Sequence, residues 1–223
     1  MSQIRIDHYS DVLCIWAYVS HIRMEELIQS FGSKIDVHYH FFPVFGDVPG
    51  KIEKSWAHRG GVSAYRDHVL SVANKFGHVQ VHPEVWVRAT PNSSMPVHLY
   101  LAAVKLAQEK QVIAENSRVR FLQATRDAFF KEGRDIAQWA ILHSLAEELG
   151  IHQASVEVEI TSGAAHARVC ADMQLAIEQQ VNSSPTLIFN EGRQKLAGNV
   201  GYRIIEANVR ELLENPAGQA SWC

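Results

Sequence analysis

The sequence predicts an α/β fold in which a small sheet, built from both ends of the chain, is interrupted by a large all-helical insertion. Segments with the apolar patterns of strands occur only near the two ends, at residues 3–9, 34–42, 186–190 and 194–197. Between them, apolar residues recur at helical spacing, and neither an internal repeat nor a low-complexity linker interrupts the chain. We therefore expect one discontinuous α/β domain, residues 1–50 and 171–223, around a helical insertion domain, residues 51–170.

The first three elements are predicted to be a strand, a helix and a second strand. Ile4 and Ile6 alternate with polar residues in the first strand, and alternate residues from Ile35 to Phe41 are apolar in the second. The helix between them is predicted from Ile15 to Phe31, with Gly32 as its terminus. This spacing indicates a parallel βαβ unit with a right-handed crossover.

The middle of the chain predicts a series of helices. One carries Tyr65, Val69 and Ala73 on a common face and stops by Gly77, and the next begins near Pro96. Two further helices are predicted to end near Gly133 and Gly150, and a long one to span residues 155–180. The pattern then changes to two short strands, at 186–190 and 194–197, and a last helix at 202–213.

Composition excludes several classes of function. The 223 residues carry 21 basic and 24 acidic side chains, a net charge of -3, so binding of nucleic acid or anionic membranes through bulk positive charge is not expected. Charged residues or histidines interrupt every apolar run, and no stretch of signal-peptide type precedes the first strand, so we expect a cytoplasmic protein. Three scattered cysteines, Cys14, Cys170 and Cys223, predict neither a disulfide framework nor a zinc cage.

Cys14 is the leading candidate for chemistry. It follows the first strand after a short turn and lies where the first helix should begin. Free backbone N–H groups and the helix dipole stabilise a thiolate at such a position, so we expect a lowered pKa for the Cys14 thiol. The alternative is that Cys14 is a small buried hydrophobic residue.

A second candidate is the segment Ser184-Pro185-Thr186, just before the third strand. A proline that opens a strand after small polar residues is a candidate for a cis peptide bond, which we predict between Ser184 and Pro185. The other candidate residues give weaker evidence for a functional site. His38 and His40 share a strand face but lack a third ligand, so no metal site is predicted; His8 is expected to be an ordinary strand histidine, and Cys170 a core thiol.

These motifs resemble those of the DsbA-like thioredoxin-fold family. The resemblance is carried by residues 11–18, DVLCIWAY, by residues 183–189, SSPTLIF, and by residues 129–136, FFKEGRDI. The last of these is similar to the insertion helices of the cytoplasmic branch, which includes FrnE-type oxidoreductases, hydroxychromene-carboxylate isomerases and kappa-class glutathione transferases. The resemblance implies a thioredoxin-like fold, a reactive Cys14, a cis Pro185, and a Ser184 backbone that faces a peptide-like ligand such as glutathione. For Trp16 two interpretations stay open: packing under the insertion, or forming one wall of a substrate cleft.

The chain departs from the family pattern in three places. The isomerase and kappa-transferase branches have a serine where this chain has Cys14. Dithiol members have a second cysteine where this chain has Ala17, so a local disulfide cannot form. Glutathione-using relatives hold the γ-glutamyl group with a Ser-Asp pair after a late glycine, where this chain has Asn199 and Val200. We therefore expect a monothiol oxidoreductase acting by thiol–disulfide exchange, with Cys14 as the catalytic residue and Trp16, Ser184, Pro185 and Asn199 in the binding site.

The expected partners follow from that reaction. The substrate would be a small thiol or disulfide, or a peptide, with no required cofactor, glutathione as a candidate co-substrate, and Cys170 or Cys223 as candidate resolving thiols. Neither nucleic acid nor a membrane is expected to bind, and the sequence is compatible with a homodimer. Two alternatives stay open: a glutathione-dependent isomerase or transferase in which Cys14 assists the cofactor thiol, and a non-catalytic binding module that kept the fold.

Overall fold

The computed structural model describes residues 3–214 and confirms an α/β fold with a sheet built from both ends of the chain. The sheet has the strand order β2-β1-β3-β4, in which β1 pairs in parallel with β2 and antiparallel with β3, and β3 pairs antiparallel with β4. The strands are β1 (Ile4–Ser10), β2 (Ile35–Phe41), β3 (Thr186–Phe189) and β4 (Gln194–Ala197).

Helices account for most of the rest of the described chain. The first two lie between β1 and β2, the next seven between β2 and β3, and the last follows β4. They are α1 (Ile15–Val19), α2 (His21–Phe31), α3 (Val48–Trp56), α4 (Gly61–Ala73), α5 (Met95–Glu109), α6 (Ser117–Phe130), α7 (Trp139–Glu148), α8 (Gln153–Thr161), α9 (Ala164–Glu178) and α10 (Tyr202–Glu214).

Two of the predicted helices are each divided in the structure. The helix predicted over 15–31 forms α1 and α2, which meet at Ser20; its hydroxyl donates to the carbonyl of Ala17 at 3.1 Å. The helix predicted over 155–180 forms α8 and α9, because Gly163 adopts a φ of 82°. A left-handed residue cannot continue a right-handed helix, so the chain turns there.

The helix α9 joins the insertion to the sheet. It packs against both α5 and β2, and the boundary expected at residue 170 falls within this continuous helix. Its Asp172 accepts a hydrogen bond from the imidazole of His40 in β2 at 2.8 Å, and the other nitrogen of His40 lies 2.8 Å from Asp7 in β1. A buried polar bridge therefore fixes α9 on the sheet.

The core is divided by the sheet. One face of β1, with Ile4 and Ile6, packs against α2 and α10. The larger core contains the turn between β1 and α1, from Val12 to Ile15, together with buried residues of α4 to α9. This turn is therefore packed beneath the insertion helices. No helix among residues 3–214 is both long and apolar enough to cross a bilayer.

Candidate active site

The turn after β1 is shaped by the buried carboxylate of Asp11. One carboxylate oxygen accepts the backbone N–H of Leu13 at 2.8 Å. The other accepts the N–H of Phe45 and the hydroxyl of Ser94, each at 2.8 Å. An aspartate that accepts the N–H two residues later closes an Asx turn, and this turn sets the backbone direction so that α1 begins directly after Cys14.

Cys14 meets the loop before β3 across the end of the sheet. Its sulfur lies 3.2 Å from the carbonyl oxygen of Ser184, and the peptide bond between Ser184 and Pro185 is cis, as predicted. The Ser184 hydroxyl accepts the backbone N–H of Asp11 at 3.0 Å. Two hydrogen bonds therefore join the Cys14 turn to the proline loop, which brings three of the predicted site residues together.

The sequence-based prediction of a lowered pKa for Cys14 is wrong in direction. Cys14 is only 7% exposed, and burial raises the pKa of its thiol because a thiolate is poorly solvated there. Hydrogen bonding from the Ser184 side chain and from the backbone amides of Ala17 and Trp16 lowers the pKa but does not overcome burial, and the Asp11 charge raises it further. The helix N-terminus contributes as expected, but its effect is the smaller one.

The neighbouring positions of α1 have separate roles. Trp16 is partly exposed and packs edge-on against Phe76, with ring centroids 6.4 Å apart. Ala17 is 1% exposed and fills the position at which a second thiol would stand. Trp16 can therefore contact a substrate that approaches Cys14.

Asn199 lies away from the contacts that join Cys14 to Ser184. It is exposed in the loop after β4, and its side-chain oxygen accepts a hydrogen bond from Arg23, which also donates to the carbonyl of Val200 at 2.9 Å. The residue before it, Gly198, donates its N–H to the Pro185 carbonyl at 2.8 Å. The loop is thus tied to the site through its backbone, while the Asn199 side chain is directed to α2.

A polar groove runs beside α1 and α2. Its volume is about 400 Å³, and its lining includes Tyr18 of α1 but neither Cys14 nor Ser184. The Tyr18 hydroxyl donates to Asp127 of α6 at 2.9 Å, and Lys131 and His78 line the groove further along. The groove offers space for a polar molecule beside Tyr18, and the contact between Cys14 and Ser184 lies outside it.

The remaining candidates from the sequence have other surroundings. His8 lines a small cavity beside Pro185, and burial lowers its pKa to about 3, so it is neutral at pH 7. His40 is bound on both ring nitrogens by carboxylates, whereas His38 lies 2.7 Å from Asp36, so the two histidines do not converge. Among residues 3–214, no group of three side chains is arranged to hold a metal.

Cys170 is not the core thiol that the sequence predicts. It is an exposed residue of α9 and lines an apolar cavity of about 320 Å³ with Met95, Trp139 and Met173. Burial was predicted from the apolar residues next to Cys170 in the sequence. In the structure these residues do not share one face of α9, and Cys170 itself is exposed. Cys14 and Cys170 are both free thiols, and Cys223 lies outside the described residues.

Several residues of the site were not predicted from the sequence. Tyr65 of α4 is buried in the same core cluster as Cys14. Burial raises the pKa of its hydroxyl, and the charges of Cys14 and Asp11 raise it further. His98 of α5 accepts the N–H of Val12 at 3.3 Å, and Arg126 of α6 donates to Ser10 at 3.1 Å. Arg126 could have been noticed in the sequence, because it lies among apolar residues at helical spacing. The sequence could not show which turn it contacts.

Comparisons with known proteins identify the family and the fold. A sequence model described as a DSBA-like thioredoxin domain matches residues 5–209. The ClpXP adapter protein SpxH of Halalkalibacterium halodurans is 28% identical over 193 residues, which is 81% of this chain and 60% of that protein. The matches to curated relatives span between 39% and 60% of the length of those proteins.

Solved structures share the fold at low sequence identity. A candidate protein disulfide isomerase from Nitrosomonas europaea has a TM-score of 0.73 at 19% identity, covering 96% of this chain and 98% of its own. The cytosolic disulfide reductase DsbM from Pseudomonas aeruginosa has a TM-score of 0.66 at 20% identity, covering 92% and 98%. A 2-hydroxychromene-2-carboxylate isomerase has a TM-score of 0.64 at 18% identity, covering 97% and 100%. At these sequence identities, the comparisons with solved structures show a shared fold and nothing further.

Proposed function

The chain belongs to the DSBA-like thioredoxin family, and from this membership we propose that it is an oxidoreductase that exchanges thiols and disulfides through a single cysteine, Cys14. The observation that supports this most is the contact of 3.2 Å between the Cys14 sulfur and the Ser184 carbonyl, beside the cis peptide bond at Pro185. The thiol is therefore next to the backbone of the proline loop, and our proposal assigns to that backbone the binding of an extended peptide-like substrate.

The first step would be attack by the Cys14 thiolate on a substrate disulfide. A bond forms between the Cys14 sulfur and one substrate sulfur, the substrate S–S bond breaks, and the second sulfur leaves as a thiolate that takes a proton from water. The Cys14 proton, held towards the Ser184 carbonyl in the resting state, must be released first. The product of this step is a mixed disulfide at Cys14.

The second step would require a thiol from outside the chain. Because Ala17 occupies the usual place of the resolving cysteine, an external thiolate attacks the substrate sulfur of the mixed disulfide. A new disulfide forms between that thiol and the substrate sulfur, and Cys14 leaves as a thiolate. The net reaction converts a disulfide and a thiol into another disulfide and another thiol, so no cofactor is needed.

We propose Ser184, Pro185 and Trp16 as the residues that bind the substrate next to Cys14, with the groove from Tyr18 onward receiving the rest of it. Asn199 has less support as a binding residue, because Arg23 already holds its amide oxygen. Glutathione is our candidate for the external thiol, and the cytoplasm our candidate for the compartment, because a reducing environment supplies such a thiol continuously.

Turnover of a small disulfide tests this proposal. Reduction of hydroxyethyl disulfide by glutathione, coupled to a reporter of oxidised glutathione, should be accelerated by the wild-type protein and not by Cys14→Ser. Cys170→Ser is the matched control, because it removes the exposed thiol of α9 and should keep full activity. Equal activity in wild type and Cys14→Ser would reject Cys14 as the catalytic residue.

A second candidate is a protein-binding adapter that kept the fold. Two observations favour it: curated relatives are named as adapter proteins, and burial raises the pKa of Cys14, which reduces the reactive thiolate. For the isomerase or transferase alternative, a solved isomerase structure shares the fold, but neither of these two observations supports it. Inert Cys14 in the disulfide assay, in a folded protein, would favour the adapter.

A further inference from the structure

Arg126 is a buried cation at the back of the Cys14 turn. It is 1% exposed on α6, and one of its terminal nitrogens donates to the hydroxyl of Ser10 at 3.1 Å. Its Nε is buried with no hydrogen-bond partner among residues 3–214. Ser10 is the last residue of β1, so the guanidinium reaches from the insertion to the base of the turn that carries Cys14.

No carboxylate in the described chain forms an ion pair with Arg126 within 4.0 Å. The nearby carboxylate of Asp11 has its oxygens occupied by Leu13, Phe45 and Ser94. A buried charge without a matched partner is unfavourable, and in native proteins such a group calls for an explanation. An anion that exists during only part of a reaction cycle would provide one.

We propose that Arg126 is a positioning residue that stabilises the thiolate of Cys14, both when the thiol ionises and when Cys14 leaves the mixed disulfide. This inference rests on the proposed function only in taking Cys14 as the reactive group. Of the favourable charge interactions on the guanidinium, that with Cys14 is the largest, ahead of those with Tyr39, Asp11 and Tyr18. On the pKa of the Cys14 thiol itself, burial, hydrogen bonds and the Asp11 charge have larger effects than the guanidinium. Preorganised charges in a dry site act strongly on charge that develops during a reaction.

The other titratable groups around this site do not replace Arg126. Asp11 in the turn opposes the thiolate, and burial raises the pKa of Tyr65 from α4, so its hydroxyl stays neutral. Burial also lowers the pKa of each nearby histidine, with the Arg126 charge as a further cause, so these stay uncharged at pH 7; they are His8, His21 and His98. Among the described groups named here, Arg126 is the one that favours a negative sulfur.

The test compares Arg126→Met with Arg118→Met. Arg118 is a matched control because it lies on the same helix, is 7% exposed, and also has an Nε without a partner among the described residues. Its surroundings differ: it lies 5.1 Å from the ring of Phe41, and its largest favourable charge interaction is with Asp172. Both variants would carry Cys170→Ser and Cys223→Ser, so that alkylation reports on Cys14.

The readout is the rate of Cys14 alkylation by iodoacetamide from pH 6 to pH 10. For Arg126→Met we expect the rate at pH 7 to fall about tenfold and the pH profile to move to higher pH. Arg118→Met should stay within about twofold of the parent, and Arg126→Lys should recover most of the rate. An unchanged profile in folded Arg126→Met overturns the proposal, as does an equal shift in Arg118→Met.

A second measurement applies if Arg126→Met does not fold. In the parent protein, the ratio of the iodoacetate rate to the iodoacetamide rate at Cys14 should exceed the ratio for the urea-unfolded chain, because a buried cation favours the anionic reagent. A ratio at or below that of the unfolded chain overturns the proposal. Neither readout measures turnover: the pH profile reports the ionisation of Cys14, and the reagent ratio reports the local charge at its sulfur. Either can therefore fail while the disulfide assay succeeds, and the reverse.

Discussion

The sulfur of Cys14 lies 3.2 Å from the carbonyl oxygen of Ser184, although 170 positions separate the two residues in the chain. The contact follows from the pairing of β1 with β3, in which Tyr9 is opposite Thr186. This register places the turn after β1 beside the loop before β3, so the site depends on the sheet as well as on the turn itself.

The hydroxyl of Ser184 should contribute measurably to stability. Ser184→Ala leaves the buried N–H of Asp11 without its acceptor, and we expect the free energy of unfolding to fall by about 1–3 kcal/mol. Urea unfolding measures this. Ser55→Ala, an exposed serine in α3, should change stability by less than about 0.5 kcal/mol. Equal effects of the two substitutions would show that the hydrogen bond does not stabilise the loop.

Removal of the Asp11 charge should make Cys14 more reactive. Because that charge contributes to raising the pKa of the thiol, Asp11→Asn should increase Cys14 alkylation at pH 7 about threefold or more. The substitution should also destabilise the turn, since an amide nitrogen cannot accept the bonds that Asp11 accepts. Asp47→Asn, which alters an exposed helix cap, is the control and should leave the rate unchanged. A slower reaction in folded Asp11→Asn would contradict the assigned role of the charge.

A second thiol at position 17 should create a redox-active pair. Ala17 is on the first turn of α1, three residues after Cys14, so Ala17→Cys brings two sulfurs within reach of each other. The new cysteine attacks a mixed disulfide at high effective concentration, so the variant should gain activity in an insulin-reduction assay while Ala17→Ser does not. A variant that folds and forms the disulfide without gaining turnover would show that access to the site is limiting, and would favour the isomerase or transferase alternative.

Buried His8 should make stability depend on pH. In the unfolded chain it binds a proton near pH 6.5, whereas burial lowers its pKa in the folded protein to about 3. The unfolded state therefore binds more protons between these values, and stability falls as the pH drops through this window. From pH 7.5 to pH 5 we expect a loss of about 2 kcal/mol from His8, measured by urea unfolding.

The variant His8→Gln should remove that part of the pH dependence, while exposed His58→Gln should not. His40 acts in the opposite direction, because hydrogen bonds from its ring to Asp172 and Asp7 outweigh burial and raise its pKa. The stability that His40 contributes is present below about pH 6.5. It is lost as the pH rises through the pKa of His40 in the folded protein. A profile for His8→Gln parallel to that of the wild type would contradict the assignment to His8.

Local patterns were sufficient to predict the elements that form the site. Alternating apolar residues in β1 and β2, and the proline that opens β3, gave the sheet and the cis bond between Ser184 and Pro185. The ionisation of Cys14 was not predictable in this way. It depends on burial under the insertion and on the charge of Asp11, whose carboxylate is held by Phe45 and Ser94, residues distant in the sequence.

The prediction for Cys170 failed for a related reason. Its apolar neighbours indicate a helix with a buried face, but only the packing of α9 against α5 decides which residues that face contains. The surroundings of Asn199 were likewise not visible in the local sequence, because Arg23 of α2 donates a hydrogen bond to its side-chain oxygen. The surroundings of these two side chains depend on contacts between elements that are distant in the sequence. The local sequence pattern does not show those contacts.

The most direct test of the account is intact-protein mass spectrometry after treatment with glutathione disulfide. We expect one glutathione adduct at Cys14 that is retained in Cys170→Ser, is lost in Cys14→Ser, and is removed when reduced glutathione is added. Peptide mapping assigns the modified sulfur. An adduct confined to Cys170, or a Cys14 that stays unmodified in the folded protein, would contradict the claim that Cys14 performs thiol–disulfide exchange.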